Sequence, residues 1–217
     1  MTQNDERYRR AVQRFDDANA QDPRRTLAAG IEVPDELLYA RRMTGWLDRL
    51  EPGASEALRL AVRCQHLRRW TIPRSQYPMT RAGYHAWRTT LARFHADAAG
   101  EVLRAEGYDE AIVARVQSLV RKEGLKRDAE AQTLEDVACL VFLENEFADF
   151  AAKHDEEKVV NIVARTWGKM SDRGRAAALG LALPDDAKRL IGKALAPPAP
   201  GRPGGREGPP ASGGGSP

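Results

Sequence analysis

Cysteine and histidine are scarce in this 217-residue chain, with two of the first and four of the second. Two cysteines support neither a disulfide framework nor a four-thiolate zinc site. A reduced, cytoplasmic chain is therefore the expectation. No apolar run approaches the roughly 18 residues of a membrane span. The start, MTQNDERYRR, has no apolar core and no small-residue cleavage site, so no signal peptide is expected there. An excess of one charge is also lacking. Lys and Arg number 34 against 31 Asp and Glu, a formal charge of +3. That balance argues against a dedicated nucleic-acid binder. Any basic patch must be local.

Large apolar residues disappear after Ala196. Residues 197–217 read PPAPGRPGGREGPPASGGGSP, in which fourteen of 21 are Pro or Gly. Such a segment cannot bury enough surface to offset its ordering entropy, so a disordered tail is expected there. The body, residues 1–196, places most of its prolines and glycines where helices should begin or end. Pro34 opens one helix and Pro52-Gly53 closes it. Ser55, Thr80, Asp109, Asp128, Asp155 and Ser171 stand as N-caps ahead of apolar-periodic runs. The helix from Ser55 is expected to run to Trp70, and the one from Asp128 to Lys153. Nothing alternates with period two and no hairpin turn signal appears. The reading is an all-α domain of about eight or nine helices, without internal repeats.

Where chemistry could sit follows from the few histidines. His95 succeeds Trp87 and Leu91 at four-residue steps, so it should face inward. His66 lies one turn beyond Val62, at the edge of an apolar stripe. Asp136 precedes the most apolar run of the chain and shares a face with Leu140 and Leu143. An ionised carboxylate there is costly unless paired, hydrogen-bonded or metal-bound. Two inward histidines and an inward aspartate from three helices would suit a divalent cation. Each residue has a plain structural alternative. A core histidine donates to a backbone carbonyl, and Asp136 could pair with an arginine. Cys64 and Cys139 read as small buried core residues.

The order His66, His95, Asp136 resembles the HD-domain superfamily of helical metal-dependent phosphohydrolases, from about Leu58 to Glu144. Those proteins place a His on one helix, a His-Asp doublet on the next and an Asp on a later one. The resemblance implies a metal held by His66, His95 and Asp136. Here the doublet reads His95-Ala96-Asp97, and residues two apart on a helix point about 200° apart. Over nearly the whole body the chain also resembles domain-of-unknown-function family 4202. The strings RCQHLRRWTIPRSQYPMTRAGYHAWRTTLARFHAD, QTLEDVACLVFLENEFADFAAKHDEEK and RTWGKMSDRG carry that likeness. Some members are labelled glutamyl-tRNA synthetase-like. KMSDR, Lys169 to Arg173, looks like the synthetase KMSKR-type loop. No HIGH-type motif and no βαβ pattern accompany it.

The HD-domain likeness implies a divalent-metal-dependent phosphohydrolase acting on a small phosphorylated molecule or nucleotide; the family likeness implies no activity. Glu135 or Asp97 would accept the proton of a metal-bound water. Arg68, Arg69, Arg74, Ser75, Tyr77, Arg88 and Lys122 are the candidates for holding the anion. The two-proline loop Arg68–Tyr77 stands first among these, because it abuts His66. The missing doublet and the Lys at 122, where HD proteins often have a His, favour the alternative. That alternative is a non-catalytic helical ligand-binding or regulatory protein on an HD-like scaffold.

Overall fold

The caps named above are occupied in the structure, a computed structural model that describes residues 2–196. Thr2 closes a capping box over the first helix, α1 (Gln3–Asn19). After a short hairpin come α2 (Asp35–Leu50) and α3 (Glu56–Cys64). Two 3₁₀ turns, Arg69–Thr71 and Arg74–Gln76, lead to α4 (Arg81–Ala105) and α5 (Glu110–Val120). The order ends with α6 (Ala129–Asn145), α7 (Phe147–Ala152), α8 (Glu156–Lys169), α9 (Asp172–Leu179) and α10 (Asp185–Leu195). Ser55, Thr80, Asp109, Asp128, Asp155 and Ser171 each accept a backbone N–H of the first turn. Each thereby satisfies a donor that a helix start leaves unpaired.

The all-α reading holds, with ten α-helices among the described residues. Helix α4 packs along α5, α2 against α6, and α3 fits between α2 and α5; α9 lies on α6 and α10 on α8. One apolar core joins them, centred on side chains such as Phe15, Met43, Leu58, Leu103, Leu134 and Phe147. No helix among the described residues is long and apolar enough to cross a membrane. The Pro/Gly-rich segment, residues 197–217, lies outside the described residues.

Three local expectations are corrected. A two-stranded antiparallel hairpin, β1 (Arg25–Ala28) with β2 (Ile31–Pro34), precedes α2. Its turn residues, Ala29 and Gly30, both have positive φ, 50° and 81°. That is the backbone a two-residue hairpin needs, normally announced by Asn-Gly rather than Ala-Gly. Secondly, α3 ends at Cys64, not Trp70. Arg68 adopts a left-handed φ of 55°, and its N–H donates to the side-chain oxygen of fully buried Asn19 at 2.9 Å. A tertiary hydrogen bond from α1 thus stops the helix. Finally, the Asp128 helix breaks at Glu146, where a new turn carries Phe147 into the core.

Candidate functional site

Helix geometry assembles a cationic cleft around the two inner histidines. On α4, Arg88 and His95 are seven residues apart and therefore share a face. The turn after α3 supplies His66 and Arg69, and the start of α2 supplies Glu36 and Tyr39. Lys122 follows α5 and Glu135 rises from the middle of α6. One recess of about 400 Å³ is lined by His66, Arg69, Arg88, His95 and Lys122, with Arg93 and Arg121 also on its wall. Among the described residues Glu123 is the only acidic side chain lining it, and Arg121 is paired to it at 2.6 Å. Five cations and one carboxylate line this recess, in a chain of nearly balanced charge; Lys122 is also paired to Glu135, and Arg69 lies 3.8 Å from Glu36. A larger cleft of about 980 Å³ shares His66, Arg69, Arg88 and Lys122 and extends past Tyr39 toward α7 and α8.

His95 is 3 % exposed. Its Nδ1 sits 2.8 Å from the carbonyl of Leu67. A carbonyl only accepts, so Nδ1 carries the hydrogen and Nε2 presents a lone pair. Nε2 is buried and has no hydrogen-bond partner among the described residues. Burial, reinforced by His66, pushes the imidazolium pKa down to about 3. His66 lies with its ring 5.9 Å from that of His95 and stacks flat on Tyr39, at 4.1 Å and 10°. Its Nδ1 is 3.4 Å from Glu36. Burial, with Arg69, Arg88 and Lys122 nearby, holds the His66 imidazolium well below the ordinary range. Both rings are therefore neutral at pH 7.

Glu36 anchors this corner. It is 5 % exposed and accepts Arg24 at 2.8 Å, with Arg69 at 3.8 Å. Burial raises its carboxyl pKa, and Arg24 and Arg69 offset part of that rise. Arg69 also lies over the Trp87 ring, 4.7 Å from its centre. Arg88 makes no ion pair among the described residues. Lys122 binds Glu135 from an unusual backbone position. It stands at C′ of a Schellman motif, with Glu123 N–H on Ser118 and Lys122 N–H on Leu119. Its φ is 57°, a conformation that costs a non-glycine residue about 1 kcal/mol.

The expected metal set does not assemble. His66 and His95 meet, but Asp136 lines neither cleft. Its carboxylate accepts the Ser171 N–H at 2.8 Å, the Ser171 hydroxyl, and Gln132 Nε2 at 3.1 Å. It therefore pins the N-terminus of α9. Among the described residues no three His, Cys, Asp or Glu side chains could jointly hold a metal ion. The donors present do not fit a three-ligand divalent site, and no step is derived through one. The lost doublet has a packing reason. Ala96 is fully buried, and Gln117 of α5 donates to its carbonyl at 3.0 Å. Ala96, Ala99 and Gly100 are the small, buried residues where α4 meets α5, and an aspartate at 96 would be buried there. Asp97 is exposed and lines neither cleft.

The candidate proton acceptors change accordingly. Burial alone would raise Glu135, but Lys122 and Lys169 outweigh it and hold its carboxyl below the usual range. Glu135 lines the larger cleft as a carboxylate paired to Lys122, and Asp97 lines neither space. Of the seven anion-binding candidates, Arg69, Arg88 and Lys122 line the cleft. Arg68, Ser75 and Tyr77 do not. Arg74 spends its guanidinium on the carbonyls of Tyr77 and Pro78, at 2.8 and 2.7 Å, which holds the loop together. Cys64 and Cys139 are buried core thiols, and burial pushes Cys139 up to about 12. Sequence reasoning missed Glu36 and Tyr39, because a helix-start acid and a tyrosine one turn later carry no signal of a distant histidine.

Gly174 offers a check on the role of Asp136. A Cβ there would sit 2.6 Å from Asp136 Cγ, so Gly174→Ala must push the carboxylate off Ser171. We expect a loss of about 2 kcal/mol by urea denaturation, in the range of overpacked cores. A loss below about 0.5 kcal/mol would mean that the carboxylate has room to spare.

Fold and cleft together define an all-helical protein with a cationic, histidine-bearing recess. The chain belongs to a family described as a domain of unknown function (DUF4202), whose family model matches residues 9–191. No curated protein and no solved structure matches the chain. The KMSDR string forms the junction of α8 and α9, with Ser171 as the α9 cap.

Proposed function

We propose that the chain binds a small phosphorylated molecule in this cleft, as a ligand-binding or regulatory protein. Arg69, Arg88 and Lys122 hold the anion, and Nε2 of His95 accepts a hydrogen bond from a ligand hydroxyl. The observation that carries the reading is the buried, unpartnered His95 nitrogen within a wall of five cations and one carboxylate. A buried polar atom without a partner costs about 1–3 kcal/mol. A ligand donor would remove that cost. Hydrolysis of the ligand is less well supported. A nitrogen whose conjugate acid ionises at about 3 takes up a proton poorly near neutrality.

Calorimetric titration with inorganic pyrophosphate tests the binding. Arg88 has no ion pair among the described residues to leave behind, so Arg88→Ala should weaken binding about tenfold without loss of stability, the worth of one charge-assisted contact. No binding at millimolar pyrophosphate, or equal affinity in Arg88→Ala, would exclude the site. Phosphate release from the wild-type protein with phosphomonoesters would move the reading toward a phosphohydrolase.

A further inference from the structure

The larger cleft changes character along its length. At one end stand Arg69, Arg88 and Lys122. At the other, Phe142, Phe150 and His154 line the same space, with Asn145 and Thr166 beside them. Phe142 and Phe150 are half-buried, with one side packed on the core. Their rings meet edge to face, 6.0 Å apart at 66°. His154 stands edge-on to Phe150 at 4.4 Å and 64°. Tyr39, stacked on His66, lies on the wall shared by the two ends. The formal charges at the far end are balanced, Glu146 and Asp149 against Lys153 and Arg165.

A phosphate alone would fill only the cationic end of about 980 Å³ of cleft. Ligand sites of this size are lined largely by apolar and aromatic groups, with a few polar ones that orient the ligand. Aromatic rings favour edge-to-face or offset contact with another ring over a merely aliphatic neighbour. Asn145 and Thr166 add side-chain hydrogen-bonding capacity at the rim of that ring site.

We infer that the ligand carries a planar aromatic ring besides its phosphate, the ring seated against Phe142, Phe150 and His154. This inference rests on the anion site proposed above. The test compares calorimetric affinities for three probes: inorganic phosphate, phenyl phosphate and cyclohexyl phosphate. Phenyl phosphate should bind about tenfold tighter than phosphate, and cyclohexyl phosphate should fall between them. Phe150→Leu keeps apolar volume and removes the ring, so it should erase most of the phenyl advantage and leave phosphate affinity unchanged. Arg88→Ala should weaken all three alike. Equal binding of phosphate and phenyl phosphate, or no effect of Phe150→Leu, would overturn the aromatic end and leave the anion site standing. Equal binding of the phenyl and cyclohexyl esters would make the far end apolar but not aromatic. Failure of all three to bind would remove the anion site itself.

Discussion

Asp136→Ala should cost the fold about 3 kcal/mol. The carboxylate is 2 % exposed and accepts both the N–H and the hydroxyl of Ser171, plus Gln132. Hydrogen bonds to a charged group contribute about 1.5–3 kcal/mol each. With a typical urea dependence of about 2 kcal/mol/M, the unfolding midpoint should fall by about 1.5 M. Asp136→Asn keeps an acceptor for the Ser171 N–H and should lose less. The double variant Asp136→Ala/Gly174→Ala is more telling. The alanine at 174 occupies space that the carboxylate has left, so the two losses should not add. Additive losses would show that the two residues do not share that space. A small loss in Asp136→Ala, under about 1 kcal/mol, would leave the carboxylate free for another role.

Acid should destabilise the protein through His95. The unfolded chain binds a proton on this ring near pH 6.5, whereas the folded ring resists it down to about 3. Between those values the unfolded state holds more protons, so stability falls as pH falls. From pH 7 to pH 5 the loss from His95 is about 2 kcal/mol. His66 shifts in the same direction. Glu36, whose carboxyl is raised, opposes them by taking up a proton in the folded state first. The ionisable groups that act on His95 are His66, Arg69 and Glu36, and comparison with a variant cancels their share. Urea denaturation at pH 7 and pH 5 should show the wild type losing about 2 kcal/mol more than His95→Gln. Equal losses would mean that the His95 ring is protonated in the fold like an exposed one.

Much of the architecture was legible because it is local. A cap satisfies donors within its own first turn, so Ser55, Thr80, Asp109, Asp128, Asp155 and Ser171 announce their helices wherever the helices end up. The four-residue steps Trp87, Leu91, His95 fix which face is buried. Helix ends set by distant partners were not legible. The α3 stop depends on Asn19, and the hairpin uses an Ala-Gly turn that no composition rule singles out.

The site was legible only in part, for the same reason. Inward orientation of His95 follows from periodicity, and Asp136 was rightly read as a buried carboxylate needing a partner. Which partner it takes is a matter of packing. Ser171, 35 residues on, arrives because α9 lies on α6. The loop after His66 looked like the anion site, yet Arg74 turns inward onto its own carbonyls.

The sequence by itself determined an all-helical body, the start of nearly every helix, the buried faces, and the scarcity that makes His66 and His95 conspicuous. Tertiary structure alone decided which of these side chains meet. Two imidazoles converge with Arg69, Arg88 and Lys122, while Asp136 is claimed by Ser171 and Ala96 by the α4–α5 contact. The physical reason is range. Caps and helix periodicity act within a turn or two of chain, but a cleft is made by groups whose approach depends on how whole helices pack.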